Sequence, residues 1–110
     1  MIDLLFRGGP VLHTDALRDD LAVGVKGRHI VWIGTAARAP TARRVVELGG
    51  RLLLPGFIDV QVNGGGGVQF NDHPSIEGIA AIGAAHARFG TTGFLPTLDR
   101  KSTRLNSSHL

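Results

Sequence analysis

Leu54-Pro55-Gly56-Phe57-Ile58-Asp59-Val60-Gln61-Val62-Asn63-Gly64-Gly65-Gly66-Gly67-Val68-Gln69-Phe70-Asn71-Asp72 is the stretch that decides the fold. Pro55 and Gly56 interrupt what precedes them. Phe57 to Val62 is then rich in the β-branched and aromatic residues that suit a pleated strand. Successive side chains of a strand point to opposite faces. Asp59, Gln61 and Asn63 are therefore expected on one face, with Ile58, Val60 and Val62 on the other. A buried strand with one apolar face and one face of hydrogen-bonding groups makes a suitable active-site wall. It should run into a loop at Gly64, Gly65, Gly66 and Gly67.

Downstream the pattern becomes helical. Ser75, just after Pro74, is a candidate N-cap, with Asp72 as a competitor, and Glu77 suits the positive end of the helix dipole. Ile76, Ile79, Ala80, Gly83 and Ala87 recur at helical spacing and define one expected face. Gly78 and Gly83 each weaken a helix by about 1 kcal/mol relative to Ala, and offer close packing on a sheet instead. Gly90 is placed to end the helix. Gly93-Phe94-Leu95-Pro96-Thr97-Leu98 is a second candidate strand. Strand, helix, strand is a βαβ unit, the first step of a parallel α/β sheet or barrel.

Upstream, residues 1–54 read as short strands separated by turns. Leu4–Phe6 and Val11–His13 flank Arg7-Gly8-Gly9-Pro10, and Asp15–Asp20 is a polar loop. Leu21–Val25 and His29–Ile33 flank Lys26-Gly27-Arg28, a hairpin signal. Gly34–Arg43 is expected to loop out, and Arg43-Arg44 to form a solvated turn. Val45–Leu48 and Arg51–Leu54 straddle Gly49-Gly50. Together these predict part of a small β-sandwich. The expected organisation is thus 1–54 partial β-sandwich, 55–98 first βαβ unit, and 99–110 a tail of separate origin.

The tail has its own signature. Asp99 to His109 reads Asp-Arg-Lys-Ser-Thr-Arg-Leu-Asn-Ser-Ser-His, the in-frame translation of a common sequencing adapter. It is therefore not expected to belong to the fold. The tail also biases the charge. The 110-residue chain has a formal net charge of +3, of which Arg100, Lys101 and Arg104 against Asp99 contribute +2. The remaining +1 is scattered, so composition gives no basis for nucleic-acid or membrane binding.

The chain has no cysteine, which excludes disulfides and thiolate metal ligands within it. The start, Met1 to Arg7, carries an acid at Asp3 and does not read as a signal peptide. No stretch approaches the roughly 18 apolar residues of a membrane span. A cytoplasmic protein is the expectation.

The glycine run lacks the Lys-Ser/Thr of a phosphate-binding P-loop and the spacing of a dinucleotide fingerprint. It reads as a loop whose backbone takes unusual angles near a pocket. His13, His29, His73 and His86 show neither HxH nor HExxH spacing, and each is assigned a surface or packing role. Amide oxygens such as those of Gln61 and Asn63 are weak transition-metal ligands beside imidazole.

Over its first 98 residues the chain resembles the N-terminal part of the N-acetylglucosamine-6-phosphate deacetylase family, within the amidohydrolase superfamily. Lys26-Gly27-Arg28-His29-Ile30-Val31-Trp32-Ile33-Gly34 looks like strands common to many amidohydrolases. Leu54–Asp72 carries the deacetylase pattern, and Phe89–Leu98 is similar to its second barrel strand. The resemblance implies an α/β fold, the start of a (β/α)8 TIM barrel preceded by part of a small β-sandwich. It implies a metal-dependent hydrolase that converts N-acetylglucosamine 6-phosphate to glucosamine 6-phosphate and acetate.

Most amidohydrolases carry His-x-His where this chain has Gln61 and Asn63. The resemblance implies one divalent metal, zinc or iron, in a parent enzyme that is a possible homo-oligomer acting on a small amino-sugar phosphate. Asp59, Gln61 and Asn63 would line that site behind the metal. The metal ligands and the general base would lie on later strands, so no catalytic or metal-binding residue is assigned within the chain. The fragment alone is expected to bind no metal and to be inactive. Competing expectations are another amidohydrolase, dihydroorotase-like or a deaminase, and a small non-enzymatic β-rich binding module.

Overall fold

The computed structural model describes residues 1–98, and the tail assigned to an adapter lies outside the described residues. The chain divides into two compact units, the first Met1–Pro55 and the second beginning at Gly56.

The first unit is built on a four-stranded mixed sheet. Its strands are β1 (Ile2–Arg7), β4 (Leu21–Lys26), β5 (His29–Thr35) and β6 (Ala42–Glu47), in the spatial order β5-β4-β1-β6. β1 pairs antiparallel with β4 and parallel with β6, and β4 pairs antiparallel with β5. β2 (Val11–His13) and β3 (Ala16–Arg18) form a separate hairpin.

β4 and β1 are the two central strands, and Leu21, Ala22 and Val23 of β4 are all buried. Alternation sends them to different faces. Ala22 joins Ile2 and Leu5, against which Trp32 packs, while Leu21 and Val23 join Val11 and Leu53. The hairpin signal at Lys26-Gly27-Arg28 forms as expected. Gly27 takes φ +59, the left-handed region that glycine enters without steric cost, and its amide donates to Asp3 Oδ2 at 2.7 Å.

Several local expectations are corrected. Asp15–Asp20 is not wholly loop, because Ala16–Arg18 pairs with Val11–His13 across a turn in which Thr14 reaches φ 56. All three β3 residues are exposed, so burial leaves no alternating apolar pattern there to read. Within Gly34–Arg43, Ala36–Arg38 forms a 3-10 helix and β6 begins at Ala42. Arg43-Arg44 therefore lies on a strand, not a turn, and Arg43 reaches Asp3 at 3.5 Å. Arg51–Leu54 is not a strand. It makes one bridge, Val11 to Leu53, closed by bonds from Leu53 N to Pro10 O and from Leu12 N to Leu53 O.

The second unit has β7 (Phe57–Val62), a two-residue hairpin of β8 (Gly64–Gly65) and β9 (Val68–Gln69), helix α1 (Ile76–Ala87) and β10 (Thr91–Pro96). β7 and β10 pair in parallel with α1 between them in the chain, the expected βαβ unit. Ser75 caps α1, its Oγ accepting from Gly78 N at 3.0 Å. Gly90 takes φ +97 just past the helix end.

The buried face of α1 differs from the expected one. Ile82 is fully buried and Gly78 is buried, whereas Ile76 is 82% exposed and Ala80 and Ala87 are exposed. The helix makes its close contacts through glycine. A Cβ on Gly83 would lie 2.8 Å from the Phe94 ring, and one on Gly78 would overlap the His73 carbonyl oxygen. Gly83 lies on the expected face and packs closely as anticipated, but the fully buried side chain, Ile82, lies outside that face. Among the described residues, no helix is long and apolar enough to cross a membrane.

Candidate functional site

β7 carries the polar residues that single it out in the sequence. Its pairing with β10 matches Phe94 with Asp59 and Pro96 with Val62, so β7 has one residue more than its partner between these points. Such an irregularity bends a strand and re-aims its side chains. At this point Asp59 Oδ1 accepts from Gln61 N at 3.1 Å. The carboxylate thus holds a backbone amide inside the irregular segment. Gln61 is exposed, and Asn63 is half-buried, its Nδ2 donating to Thr97 O at 3.1 Å.

The strand is less covered than expected. Val62 is buried, but Ile58 is 74% exposed and Val60 is 71% exposed. Within the described residues β7 pairs on one side only, with β10, while α1 packs on β10 and on the glycine hairpin. The apolar face of β7 near Ile58 therefore has no described layer above it.

The glycine run is a hairpin and not a loose loop. Gly64 pairs with Gln69 and Gly65 with Val68, joined by Gly66 at φ +59 and Gly67 at φ +80. Two successive positive φ angles are what a tight type I′ turn requires. Gly64 and Gly65 are small for a different reason. A Cβ on Gly64 would lie 2.5 Å from the Val68 carbonyl oxygen, and one on Gly65 would lie 2.8 Å from His86 Nε2. His86 Nε2 is 2.9 Å from Gly64 O, so this histidine joins α1 to the hairpin. Thr97, the partner of Asn63, carries no local signal in the sequence, because the two lie 34 residues apart.

Among the described residues, no three of His, Cys, Asp and Glu converge as a metal-binding group. Gln61 and Asn63 present amides, and the Asn63 amide is already engaged with Thr97. A cavity of about 340 Å³ exists in the first unit, lined by Phe6, Val11, Val23, Val25, Ile30 and Leu53 among others. Its walls are almost wholly apolar and bring no acid–base pair together, so it is not a candidate reaction site.

No family model matches the chain. It is 41% identical over 89 residues to the N-acetylglucosamine-6-phosphate deacetylase of Haemophilus influenzae, covering 79% of this chain and 23% of that protein. It is 54% identical over 46 residues to the N-acetylgalactosamine-6-phosphate deacetylase of Shewanella, covering 42% of this chain and 12% of that protein. It is also 37% identical over 90 residues to the imidazolonepropionase of Arthrobacter, covering 78% of this chain and 22% of that protein. The crystal structure of N-acetylglucosamine-6-phosphate deacetylase from Pasteurella multocida superposes with a TM-score of 0.78 at 28% identity, over 92% of this chain and 27% of that one. The chain thus spans about a quarter of the length of the Haemophilus and Pasteurella proteins. In sequence and in fold it corresponds to their N-terminal part.

Proposed function

We propose that this chain, as an N-terminal part of a member of the N-acetylglucosamine-6-phosphate deacetylase family, belongs to an enzyme that hydrolyses the acetamide of N-acetylglucosamine 6-phosphate. Water adds to the acetyl carbon, the carbon–nitrogen bond breaks, and acetate and the free amine of glucosamine 6-phosphate leave. The observation that carries this is the Asp59-Val60-Gln61-Val62-Asn63 run on β7, ending in a glycine hairpin. It lies at the C-terminal end of a parallel strand in a βαβ unit, where barrels of this type place their sites.

Within that reading the chain's residues line the site and do not perform the chemistry. Gln61 offers an exposed carboxamide for hydrogen bonds with a polar ligand. Asp59 and Asn63 hold backbone at the strand end, through Gln61 N and Thr97 O respectively. Gly64, Gly65, Gly66 and Gly67 bring bare backbone to the rim. A divalent metal, zinc or iron, would supply water activation and carbonyl polarisation in the parent enzyme. Its ligands are assigned to residues outside the described stretch, because the amides of Gln61 and Asn63 are weak ligands and no further His, Cys, Asp or Glu groups join Asp59 as a metal-binding cluster among the described residues.

The test begins at the gene. Genomic DNA amplified with gene-specific primers is read past the codon for Leu98. The expected result is an open frame in place of the Asp99–Leu110 codons. The full frame is then expressed and assayed for acetate release from N-acetylglucosamine 6-phosphate and from its N-acetylgalactosamine epimer. Acetate appearing in step with primary amine supports the reading, and the ratio of rates assigns the sugar.

The Arthrobacter match favours a second reading, in which the parent is a different hydrolase. Turnover in an imidazolonepropionase assay, with no acetate from either sugar, selects it. Genomic recurrence of the Asp99–Leu110 codons followed by a stop would overturn both readings in favour of a small binding module.

A further inference from the structure

His86 stands in the last turn of α1, and its imidazole crosses to the glycine hairpin. Its Nε2 lies 2.9 Å from Gly64 O. A carbonyl oxygen only accepts, so Nε2 carries the proton and donates. Gly64–Gly67 has no side chains with which to pack, and glycine backbone is free to rotate unless something restrains it. Pairing of Gly64 with Gln69 and of Gly65 with Val68 restrains it from one side, and the helix restrains it from the other. A Cβ on Gly65 would lie 2.8 Å from His86 Nε2, and one on Gly66 would lie 3.1 Å from Ala85 Cβ, so the hairpin backbone rests directly on α1. The bond to Gly64 O fixes the Gly64–Gly65 peptide plane, the second beyond Asn63, the last polar residue of the β7 run.

We propose that His86 is a positioning residue: its Nε2–H orders the glycine hairpin at the rim of the β7 site, presetting that backbone for an amino-sugar phosphate. The inference rests on the deacetylase reading for its substrate and on geometry alone for the ordering. An ordered rim binds the ground state and the transition state alike. Losing it raises KM and leaves kcat nearly unchanged. A purely structural role would instead lower the active fraction, and kcat with it.

The experiment compares His86→Leu and His86→Gln in the full-length protein expressed from this gene. Gln places an amide donor at the same reach, and Leu fills similar space without one. The Leu variant is expected to raise KM about fivefold, the scale of one neutral hydrogen bond, with kcat within about twofold. The Gln variant is expected to restore KM. Equal effects of Leu and Gln, or a fall in kcat at constant KM, would overturn the proposal.

Hydrogen exchange supplies a readout independent of activity. The Phe70 amide, bonded to Asn63 O at 2.8 Å, should exchange faster in the Leu variant and normally in the Gln variant. Unchanged exchange in both would overturn the ordering claim. A wild-type protein that releases no acetate but shows the exchange pattern defeats the deacetylase reading and leaves the ordering standing. Should His86→Leu fail to fold, Gly65→Ala, which crowds Nε2, is read in its place, with the same rise in KM expected and an unchanged KM counting against the proposal.

Discussion

Asn63 Nδ2 donates to Thr97 O at 3.1 Å, and Thr97 N donates in turn to Val62 O at 2.8 Å. Two bonds thus tie the C-terminal ends of β7 and β10 across the whole helical crossover. Asn63→Leu should remove one of them and destabilise the second unit by about 1 kcal/mol. Asn63→Asp should cost more, because a carboxylate offers no donor and faces a carbonyl oxygen. Urea midpoints of the two variants in the full-length protein expressed from this gene check the order, and an equal shift in both would count against the bond.

The N-cap gives an independent handle on α1. Ser75 Oγ satisfies the Gly78 amide, one of the orphan donors at the helix start. Ser75→Ala should cost about 1 kcal/mol, and Ser75→Asp should keep the cap. Amide exchange along Ile76–Ala87 reports it, with faster exchange expected in the first turn of the Ala variant only.

Glycine substitutions in the first unit should separate two physical causes. A Cβ added to Gly27 would meet nothing within 4 Å, but the residue sits at φ +59, so conformation alone is at stake there. Gly27→Asn should be nearly neutral and Gly27→Val clearly destabilising, since only the first tolerates the left-handed region. Gly9 needs no special angle, yet a Cβ there would overlap the Arg51 carbonyl oxygen. Gly9→Ala should therefore destabilise although Ala suits its backbone. Thermal midpoints of the three variants in the full-length protein test the contrast.

One pH effect carries a defined sign. The Arg18 guanidinium hydrogen-bonds Asp20, at 3.0 and 2.8 Å, and holds its carboxyl below the ordinary value of 3.8. A carboxylate depressed on folding contributes stability above its unfolded pKa, lost as pH falls through the lower folded value. The pair's contribution should thus be complete above about pH 5 and fade as the pH falls below it. Both side chains are about half exposed, so the effect should be small and weakened by salt. Carboxyl titration by NMR should show Asp20 returning to its ordinary value in Arg18→Ala.

The uncovered face of β7 predicts behaviour in solution. Ile58 and Val60 are exposed, and so is Leu95 on β10. A parallel pair of strands with open edges is a template for association. Residues 1–98 expressed alone should self-associate or unfold without a sharp transition. Ile58→Lys with Val60→Lys should shift them toward monomer in sedimentation. A monomeric wild-type stretch with one cooperative transition would contradict this.

Local chemistry leaves local marks, and these are legible in the chain. Phe57–Val62 reads as a strand from its residue types, Ser75 as a cap from its place after Pro74, and Gly27 as a hairpin turn from the strands around it. The Asp59, Gln61 and Asn63 run is likewise visible as a candidate site, since a polar alternation within an apolar strand stands out by itself. What each side chain touches is not visible in this way. Asn63 finds Thr97, and His86 finds Gly64 O, only once the helix has folded back over the hairpin. The buried face of α1 is legible only in part: the close packing of Gly83 follows from its lack of a side chain, whereas Ile82, off the expected face, is buried where the helix settles on β10 and the hairpin. Where the chain extends, turns and coils is thus written in the order of its residues, since φ/ψ preference and capping act within a few positions. Which groups meet is settled by the folded arrangement, since those contacts depend on loop closure over tens of residues and on the close approach of bare backbone.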